Sequence, residues 1–330
     1  MIISRTPFRI SFFGGGTDIP AWYGENSGAV LSTTIDKYCY ISCRKLPPFF
    51  KYKHRIVYSK QEIVDEIDDI IHPAVRETFR FMNIKTGLEI HHDGDLPARS
   101  GLGSSSSFTV GLLQTLYALK GEMVTKKRLA LESIHIEQEM INEHVGSQDQ
   151  VAAAFGGFNK ITFNGNHNID VVPITVSDKK LQNFQSHLML FFTGFQRNAS
   201  EVEEKKIKQI KKKKAILGLM HNMVDEAIKI LNEGDDISDF GKMLHGNWKL
   251  KKSLSGDVST DIIDDIYDTA INNGAIGGKI LGAGSGGFVL FFVKPEDQGK
   301  LKIALSNLLY VPFKLDTTGS QIIFYSRSGV

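Results

Sequence analysis

Residues 96–107 have the sequence Leu-Pro-Ala-Arg-Ser-Gly-Leu-Gly-Ser-Ser-Ser-Ser and lie between a predicted strand, Leu88–His92, and an apolar helix predicted over 104–120. The start of such a helix offers unpaired backbone N–H groups and the positive end of the helix dipole. Glycines remove Cβ, so that a phosphate can approach the backbone, and serine hydroxyls can cap the helix or reach a magnesium ion. A plain loop with serine caps is the alternative, but four consecutive serines exceed what capping requires. The pattern therefore predicts a phosphate-binding loop.

This loop and a second glycine-rich segment differ from the common nucleotide motifs. The first loop has no Gly-Lys-Ser/Thr at Walker A spacing, and it lacks the third glycine of the dinucleotide fingerprint. Residues 281–287 (LGAGSGG) contain GxGxxG, but a strand is predicted after them rather than a helix. Ser285 does not fit a hydrolase nucleophile elbow, because Ala283 occupies the first glycine position of GxSxG.

A third segment, Pro7-Phe-Arg-Ile-Ser-Phe-Phe-Gly-Gly-Gly-Thr-Asp18, places a basic residue on a strand and an acid just after a triple-glycine turn. Taken alone, a structural turn explains it equally well. Two of the acidic residues in 136–150 are further candidates. Glu137 lies toward the end of a predicted helix, and Asp149 lies between Gly146 and an apolar run. An acid in such a buried setting needs a partner or a chemical purpose.

The composition excludes several classes of function. Lysine and arginine number 39 against 37 acids, so the net charge of +2 provides no global field for nucleic acid or anionic lipid. Residues 201–214 contain seven lysines, but acids precede them and aromatics are absent, which favours a solvated helix face over a binding patch. Cys39 and Cys43 are expected to be buried thiols in a reducing compartment. No signal peptide or 18-residue apolar run is present, so we expect a cytoplasmic protein without nucleic-acid or membrane partners.

The chain is long enough for two domains, which we place at 1–170 and 171–330. Strands are predicted over 1–12, 28–45 and 158–163 in the first half, with a helix over 126–143. The second half begins with a buried strand, and its other predicted elements are a long helical region through Leu231, a helix over 261–272, strands flanking 282–287 and a last strand over 321–326.

The three segments at 7–18, 97–107 and 279–287 resemble, in this order, the motifs of the GHMP small-molecule kinase superfamily, which includes galactokinase and mevalonate kinase. The resemblance spans nearly the whole chain. Residues 14–18, 33–38 and 148–157 look most like the heptose 7-phosphate kinases of that superfamily, and bacterial fucokinase-like enzymes are close relatives.

The resemblance implies a two-domain α+β fold, with an N-terminal domain like ribosomal protein S5 domain 2 and a ferredoxin-like C-terminal domain. ATP and the substrate would lie in the cleft between the domains. The residues that match the ATP phosphate loop are Ser100, Gly101, Leu102, Gly103, Ser104, Ser105 and Ser106. Magnesium would be held through Ser105 and Glu137, with Ser104 or Ser106 as the serine if the register is shifted by one. Asp149 matches the catalytic aspartate and Arg9 the cation that pairs with it, while Asp18, Gly15, Gly16 and Thr17 match the substrate site.

Galactokinases have glutamate and histidine where this chain has Gly15 and Gly16. The change removes a carboxylate that would repel an anionic group, and it makes room for a longer sugar. A phosphorylated sugar also needs donors, for which Arg197 is the first candidate and Lys37 and Arg99 are alternatives.

The resemblance thus implies transfer of the ATP γ-phosphoryl group to the anomeric hydroxyl of D-glycero-D-manno-heptose 7-phosphate. The product is the 1,7-bisphosphate, used to make nucleotide-activated heptose for surface polysaccharide. Another sugar-1-kinase, such as an L-fucose kinase, and a non-catalytic sugar or nucleotide sensor on the same fold stay open as alternatives, as does a homodimer.

Overall fold

The structure is a computed structural model that describes residues 1–165, 168–194, 213–254, 258–284 and 286–326. Its described residues form two β-sheets with helices packed against them. Arg197 and most of the lysine-rich segment lie outside the described residues. Within the described residues, no helix is both long enough and apolar enough to cross a membrane.

The larger sheet is built around one long strand, β2 (Gly28–Lys45), whose β-branched and aromatic residues favour extended backbone. It pairs antiparallel with β1 (Ile2–Phe13) along most of its length. The first half of β2 also pairs with β6 (Phe158–Asn164), and its second half pairs with β5 (Leu88–Gly94). The other strands of this sheet are β3 (His54–Val57), β4 (Gln61–Val64), β7 (Asn168–Pro173), β12 (Leu315–Asp316) and β13 (Gln321–Tyr325).

The helices of the first part of the chain lie against this sheet. They are α1 (Pro20–Tyr23), α2 (Pro73–Phe81), α3 (Ser104–Lys120), α4 (Lys126–His135) and α5 (Gln148–Phe155). The predicted bounds of α3 are confirmed, because its apolar residues pack against β1 and β2 and are almost all buried. A π-helical turn, Ile136–Met140, continues α4 where the sequence predicts one uninterrupted helix.

The smaller sheet has the strand order β11-β8-β10-β9 and is antiparallel. Its strands are β8 (Leu188–Phe192), β9 (Ala275–Ile280), β10 (Phe288–Val293) and β11 (Leu309–Tyr310). The helices that accompany it are α6 (Asp178–Ser186), α7 (Lys214–Glu233), α8 (Ser238–Leu254), α9 (Asp261–Asn272) and α10 (Gln298–Ala304). In β10 every residue is buried, which explains its uninterrupted apolar sequence FVLFFV.

The positions at which the chain passes from one sheet to the other were not predicted from the sequence. The predicted domain boundary between 170 and 171 falls within β7, and α6 follows before the first strand of the smaller sheet. After the smaller sheet, β13 returns to pair with β1. Cys39 and Cys43 are buried free thiols on β2, and burial raises the pKa of Cys43 to about 12.

Candidate active site

A cleft between the two parts of the molecule brings the three glycine-rich segments together. Residues of β1, of the triple-glycine turn and of the start of α3 all line this cleft. The loop between β9 and β10 packs against the loop before α3. A Cβ on Gly101, whose φ is +84°, would lie 2.5 Å from the carbonyl oxygen of Leu281, so glycine is required for this contact.

The predicted phosphate loop lies on the cleft wall. Gly101, Gly103 and the first serines of α3 line the cleft, and Gly103, with φ +75°, precedes the first turn of the helix. Ser100 and Leu102 are buried behind the loop, where their carbonyl oxygens accept hydrogen bonds from the backbone N–H groups of Phe288 (3.1 Å) and Arg9 (3.0 Å). These two residues therefore hold the loop in place rather than face the cleft.

Arg9 and Asp149 form a bidentate ion pair beside this loop. The Nε and Nη2 atoms of Arg9 each donate to one carboxylate oxygen of Asp149, both at 2.7 Å. The Nη1 atom donates to the carbonyl oxygen of Gly101 at 2.8 Å. A Cβ on Gly103 would lie 3.4 Å from Oδ2 of Asp149, so the carboxylate contacts the phosphate loop directly. Arg9 is 3% exposed, whereas the Asp149 side chain is 25% exposed and open to the cleft.

Glu137 is a buried carboxylate on the π-helical turn. Its Oε2 atom accepts a hydrogen bond from the hydroxyl of Ser106 at 2.9 Å and another from the amide of Gln150. Among the described residues its Oε1 atom, although buried, has no hydrogen-bond donor. Burial raises the pKa of Glu137 to about 7, against the opposing effects of nearby hydroxyls. A cation would favour the ionised carboxylate and satisfy the oxygen that lacks a donor.

The serine beside Glu137 is Ser106, one position after the predicted Ser105. Ser105 is exposed, and its carbonyl oxygen accepts a hydrogen bond from Thr109 at 3.2 Å. The hydroxyl of Ser104 accepts from the backbone N–H of Arg99 at 3.0 Å. The structure thus supports the one-residue shift in register, because the helical repeat turns Ser106 inward. Residues 104–106 all line the cleft.

The triple-glycine turn places Asp18 in the cleft and Thr17 behind it. The Asp18 carboxylate accepts hydrogen bonds from the backbone N–H groups of Gly16 (2.8 Å) and Gln148 (3.3 Å). Gly146 packs against this carboxylate so closely that a Cβ would lie 1.9 Å from Oδ2. Thr17 is fully buried, and its hydroxyl lies 2.8 Å from the carbonyl oxygen of Gly14. Thr17 therefore holds the turn, and its predicted contact with the substrate stays a prediction.

Of the candidate donors for a second phosphate, Arg99 lines the cleft, while Lys37 lies outside it beside Asp36. Arg197 lies outside the described residues, and so does most of the segment over 205–214. At its described end, Lys214 is exposed and pairs with Glu25 at 3.0 Å, as a solvated helix face would.

Sequence reasoning missed three charged residues of the cleft. Lys251 (7% exposed) on α8 donates to the carbonyl oxygens of Ile280 (3.1 Å) and Gly282 (2.6 Å), while Lys279 (3% exposed) on β9 donates to that of Phe12 (2.8 Å). Glu143 follows the π-helical turn, and burial raises its pKa. Lys279 is the first residue of the segment at 279–287, so its position in that segment was a signal in the sequence. Nothing in the local sequence around Lys251 offered one.

Comparisons with known proteins identify the family. Residues 69–157 match the model of the GHMP kinases N terminal domain, and residues 223–309 match that of GHMP kinases C terminal. The chain therefore belongs to the GHMP kinase family, and the predicted two-domain α+β fold is confirmed. It is an ATP-dependent phosphotransferase with an alcohol group as acceptor.

Among individual relatives, the chain is similar to the D-glycero-alpha-D-manno-heptose 7-phosphate kinase of Campylobacter jejuni, at 32% identity over 92% of this chain and 93% of that protein. It is 24% identical to the bifunctional fucokinase/GDP-fucose pyrophosphorylase of Arabidopsis thaliana over 89% of this chain and 30% of that protein. The crystal structure of a D-glycero-D-manno-heptose 1-phosphate kinase from Bacteriodes thetaiotaomicron superposes with a TM-score of 0.80 and 23% identity, covering 99% of this chain and 100% of that chain.

Proposed function

We propose that this kinase transfers the γ-phosphoryl group of ATP to the anomeric hydroxyl of D-glycero-D-manno-heptose 7-phosphate, giving the 1,7-bisphosphate. The observation that carries the proposal is the Asp149 carboxylate, held bidentately by Arg9 and in contact with the phosphate loop at Gly103. The 32% identical relative from Campylobacter jejuni supports the choice of sugar. The reaction would then belong to the cytoplasmic synthesis of nucleotide-activated heptose for surface polysaccharide.

In this proposal the cleft residues position the reactants and stabilise charge. The backbone N–H groups and hydroxyls of residues 101–106 bind the ATP phosphates at the start of α3, where the helix dipole is positive. Asp149 accepts or orients the proton of the attacking hydroxyl, and Arg9 holds its carboxylate in place through two hydrogen bonds. Asp18 accepts hydrogen bonds from sugar hydroxyls.

The residues present fit a magnesium ion. Mg²⁺ prefers oxygen ligands and is usually held by one or two protein groups together with substrate phosphates. Ser106 and Glu137 supply a hydroxyl and a carboxylate whose Oε1 atom lacks a donor among the described residues. We assign the ion to these two, with Ser106 in place of the predicted Ser105. When bound, the ion neutralises charge on the ATP phosphates.

The acceptor panel that tests the proposed substrate contains heptose 7-phosphate, mannose 6-phosphate, L-fucose and galactose, with ATP consumption measured in the presence of magnesium. Turnover with the two phosphorylated sugars and not with the others is the expected result. If Arg197 contacts the 7-phosphate, Arg197→Ala raises KM for heptose 7-phosphate, which a sugar-1-kinase for an unphosphorylated acceptor would not show. Turnover with L-fucose or galactose alone would replace the proposed substrate while keeping the catalytic residues. No turnover with any of the four would point to an alcohol acceptor outside this panel.

A further inference from the structure

The end of the cleft beyond Arg9 contains a second group of polar side chains, which we call the Ser11–Lys279 end. Ser11 follows Arg9 by two residues on β1, and both side chains line the cleft. Residues two apart on a strand point to the same face and are separated by roughly 7 Å. The Ser11–Lys279 end therefore lies about one sugar length from the ion pair of Arg9 and Asp149.

The hydroxyl of Ser11 is buried and lacks a partner within the described part of the chain. The residue is 6% exposed, and no described donor or acceptor meets its Oγ atom. Leaving a buried hydroxyl without a hydrogen bond costs about 1–3 kcal/mol. A group of this kind on the wall of a cleft indicates a contact that a bound ligand completes.

A buried ammonium group lies next to Ser11. Lys279 is 3% exposed, lines the cleft, and donates to the carbonyl oxygen of Phe12 at 2.8 Å. Because Phe12 follows Ser11 directly, this contact fixes the lysine charge at the same end of the cleft. An ammonium group on the wall of a cleft can donate to an anionic group that binds there.

The triple-glycine turn leaves room for such an anion. Gly15 and Gly16 line the cleft three and four residues after Phe12 and carry no side chain. A Cβ on Gly15 would have only the amide nitrogen of Gln148 within 4 Å, at 3.8 Å, so the absent side chain leaves open space. The Asp18 carboxylate is held by backbone N–H groups on the Gly146 side of the turn, whereas Lys279 reaches the cleft from the smaller sheet.

From these contacts we infer that the Ser11 hydroxyl and the Lys279 ammonium bind the phosphate group that the acceptor sugar already carries, while its anomeric hydroxyl lies at Asp149. The inference rests on the proposed function, and it assigns the recognition of the second phosphate to two described residues. These residues set the preference for a phosphorylated acceptor and take no part in the transfer itself.

The test compares Ser11→Ala and Lys279→Met with two acceptors, heptose 7-phosphate and the same heptose without phosphate. Lys249→Met, at an exposed position of α8, is the matched control. We expect kcat/KM for heptose 7-phosphate to fall about 10- to 100-fold in Lys279→Met and about 5- to 10-fold in Ser11→Ala, mainly through KM. The unphosphorylated heptose should be a weak acceptor, measured at high enzyme and sugar concentration, and its kcat/KM in both variants should stay within about threefold of the wild type.

The paired acceptors separate this inference from a structural effect and from failure of the proposed function. An equal fall in kcat/KM for both acceptors, or a rise in KM for ATP instead, would overturn this inference. The proposed substrate would still stand in that case. Because Lys279 also holds Phe12, Lys279→Met can fail to fold; Ser11→Ala removes a single oxygen atom and then decides the result alone. A wild-type enzyme that uses only the unphosphorylated heptose would overturn both the proposed substrate and this inference.

Discussion

At the scale of single residues, the Arg9–Asp149 pair fixes the position of the carboxylate to which we assign the proton of the acceptor. Arg9 donates to both oxygens of Asp149 and to the carbonyl oxygen of Gly101, so one guanidinium fixes the carboxylate relative to the phosphate loop. A planar guanidinium makes these three contacts in one geometry, which lysine cannot reproduce. Since Arg9 is buried and Asp149 is open to the cleft, the ion pair leaves the carboxylate accessible to an acceptor.

Asp149→Asn keeps the shape of the side chain and removes its charge. We expect kcat to fall by about 10²- to 10⁴-fold, the usual contribution of a general base. The Kd for ATP should stay within about twofold, as measured by calorimetry. Asp170→Asn, at an exposed position of β7, provides the control and should retain full activity. An unchanged kcat in Asp149→Asn would refute the assigned role.

His72 links burial to the pH dependence of stability. Its ring stacks on Phe108 at 4.7 Å between ring centres, and burial lowers its pKa to about 4. The unfolded chain binds a proton at this site below about pH 6.5, whereas the folded chain does not until about pH 4. Between these values the unfolded state binds more protons, so this histidine makes the free energy of unfolding decrease as the pH falls.

His72→Gln removes this titration. Urea unfolding measured between pH 7 and 4.5 should show the stability of His72→Gln rising relative to the wild type as the pH decreases. His144→Gln, at an exposed position, should follow the wild type. If the free energy of unfolding changed with pH equally in His72→Gln and in the wild type, His72 would have the same pKa in the folded and unfolded states.

At the scale of elements, two glycine-rich loops hold each other in place. Gly101 of the loop before α3 packs against Leu281 and Gly282, and Gly287 packs against the carbonyl oxygen of Ser100. Each contact brings backbone against backbone, with no room for a Cβ. The phosphate loop is therefore positioned by the loop between β9 and β10 as well as by its own helix.

Gly101→Ala tests this packing, with Gly121→Ala as the matched control. Both glycines have positive φ, +84° and +74°, so alanine strains the backbone similarly at each position. Only at Gly101 would the new methyl group meet another loop, since nothing lies within 4 Å of a Cβ on Gly121. We expect KM for ATP to rise at least about tenfold in Gly101→Ala and to stay near the wild-type value in Gly121→Ala. Equal KM values would mean that the packing of the two loops does not position ATP.

Local sequence patterns predicted most elements around the site, because each has a strong signal. The serine run predicts the start of α3, the uninterrupted apolar residues predict β10, and the resemblance to a known family implies the pairing of Asp149 with Arg9. The π-helical turn at Ile136–Met140 has no comparable signal, because the amphipathic pattern continues through it. This turn carries Glu137, whose carboxylate accepts a hydrogen bond from Ser106.

Contacts between distant residues could not be predicted in the same way. Lys279 reaches Phe12 and Lys251 reaches Gly282 only because the smaller sheet and α8 pack against the end of β1 and the glycine loop. The burial of Thr17 likewise depends on β2. The carbonyl oxygen of Ala29 accepts a hydrogen bond from the Thr17 hydroxyl, and the N–H of Ala29 donates one to it. Such contacts are set by tertiary packing and have no signature within a short window.

At the scale of the whole molecule, the cleft is held by a core that both sheets share. Phe12, at the end of β1, packs against the rings of Phe158, Phe184 and Phe240, with ring centres 5.4–5.8 Å apart. These rings come from β6, α6 and α8, on either side of the junction. Because the strand that carries Arg9 and Ser11 ends in this cluster, the Arg9–Asp149 pair and the Ser11–Lys279 end share this support.

The position of phosphoryl transfer tests the central claim most directly. Heptose 7-phosphate is incubated with the enzyme, magnesium and ATP, and the product is examined by ³¹P NMR with proton coupling. We predict one new phosphomonoester signal coupled to the anomeric proton, formed in equal amount with ADP, while the 7-phosphate signal persists. A new phosphate on any other carbon, or ATP consumption without a sugar bisphosphate, would contradict the assignment of this protein as an anomeric kinase for a sugar phosphate.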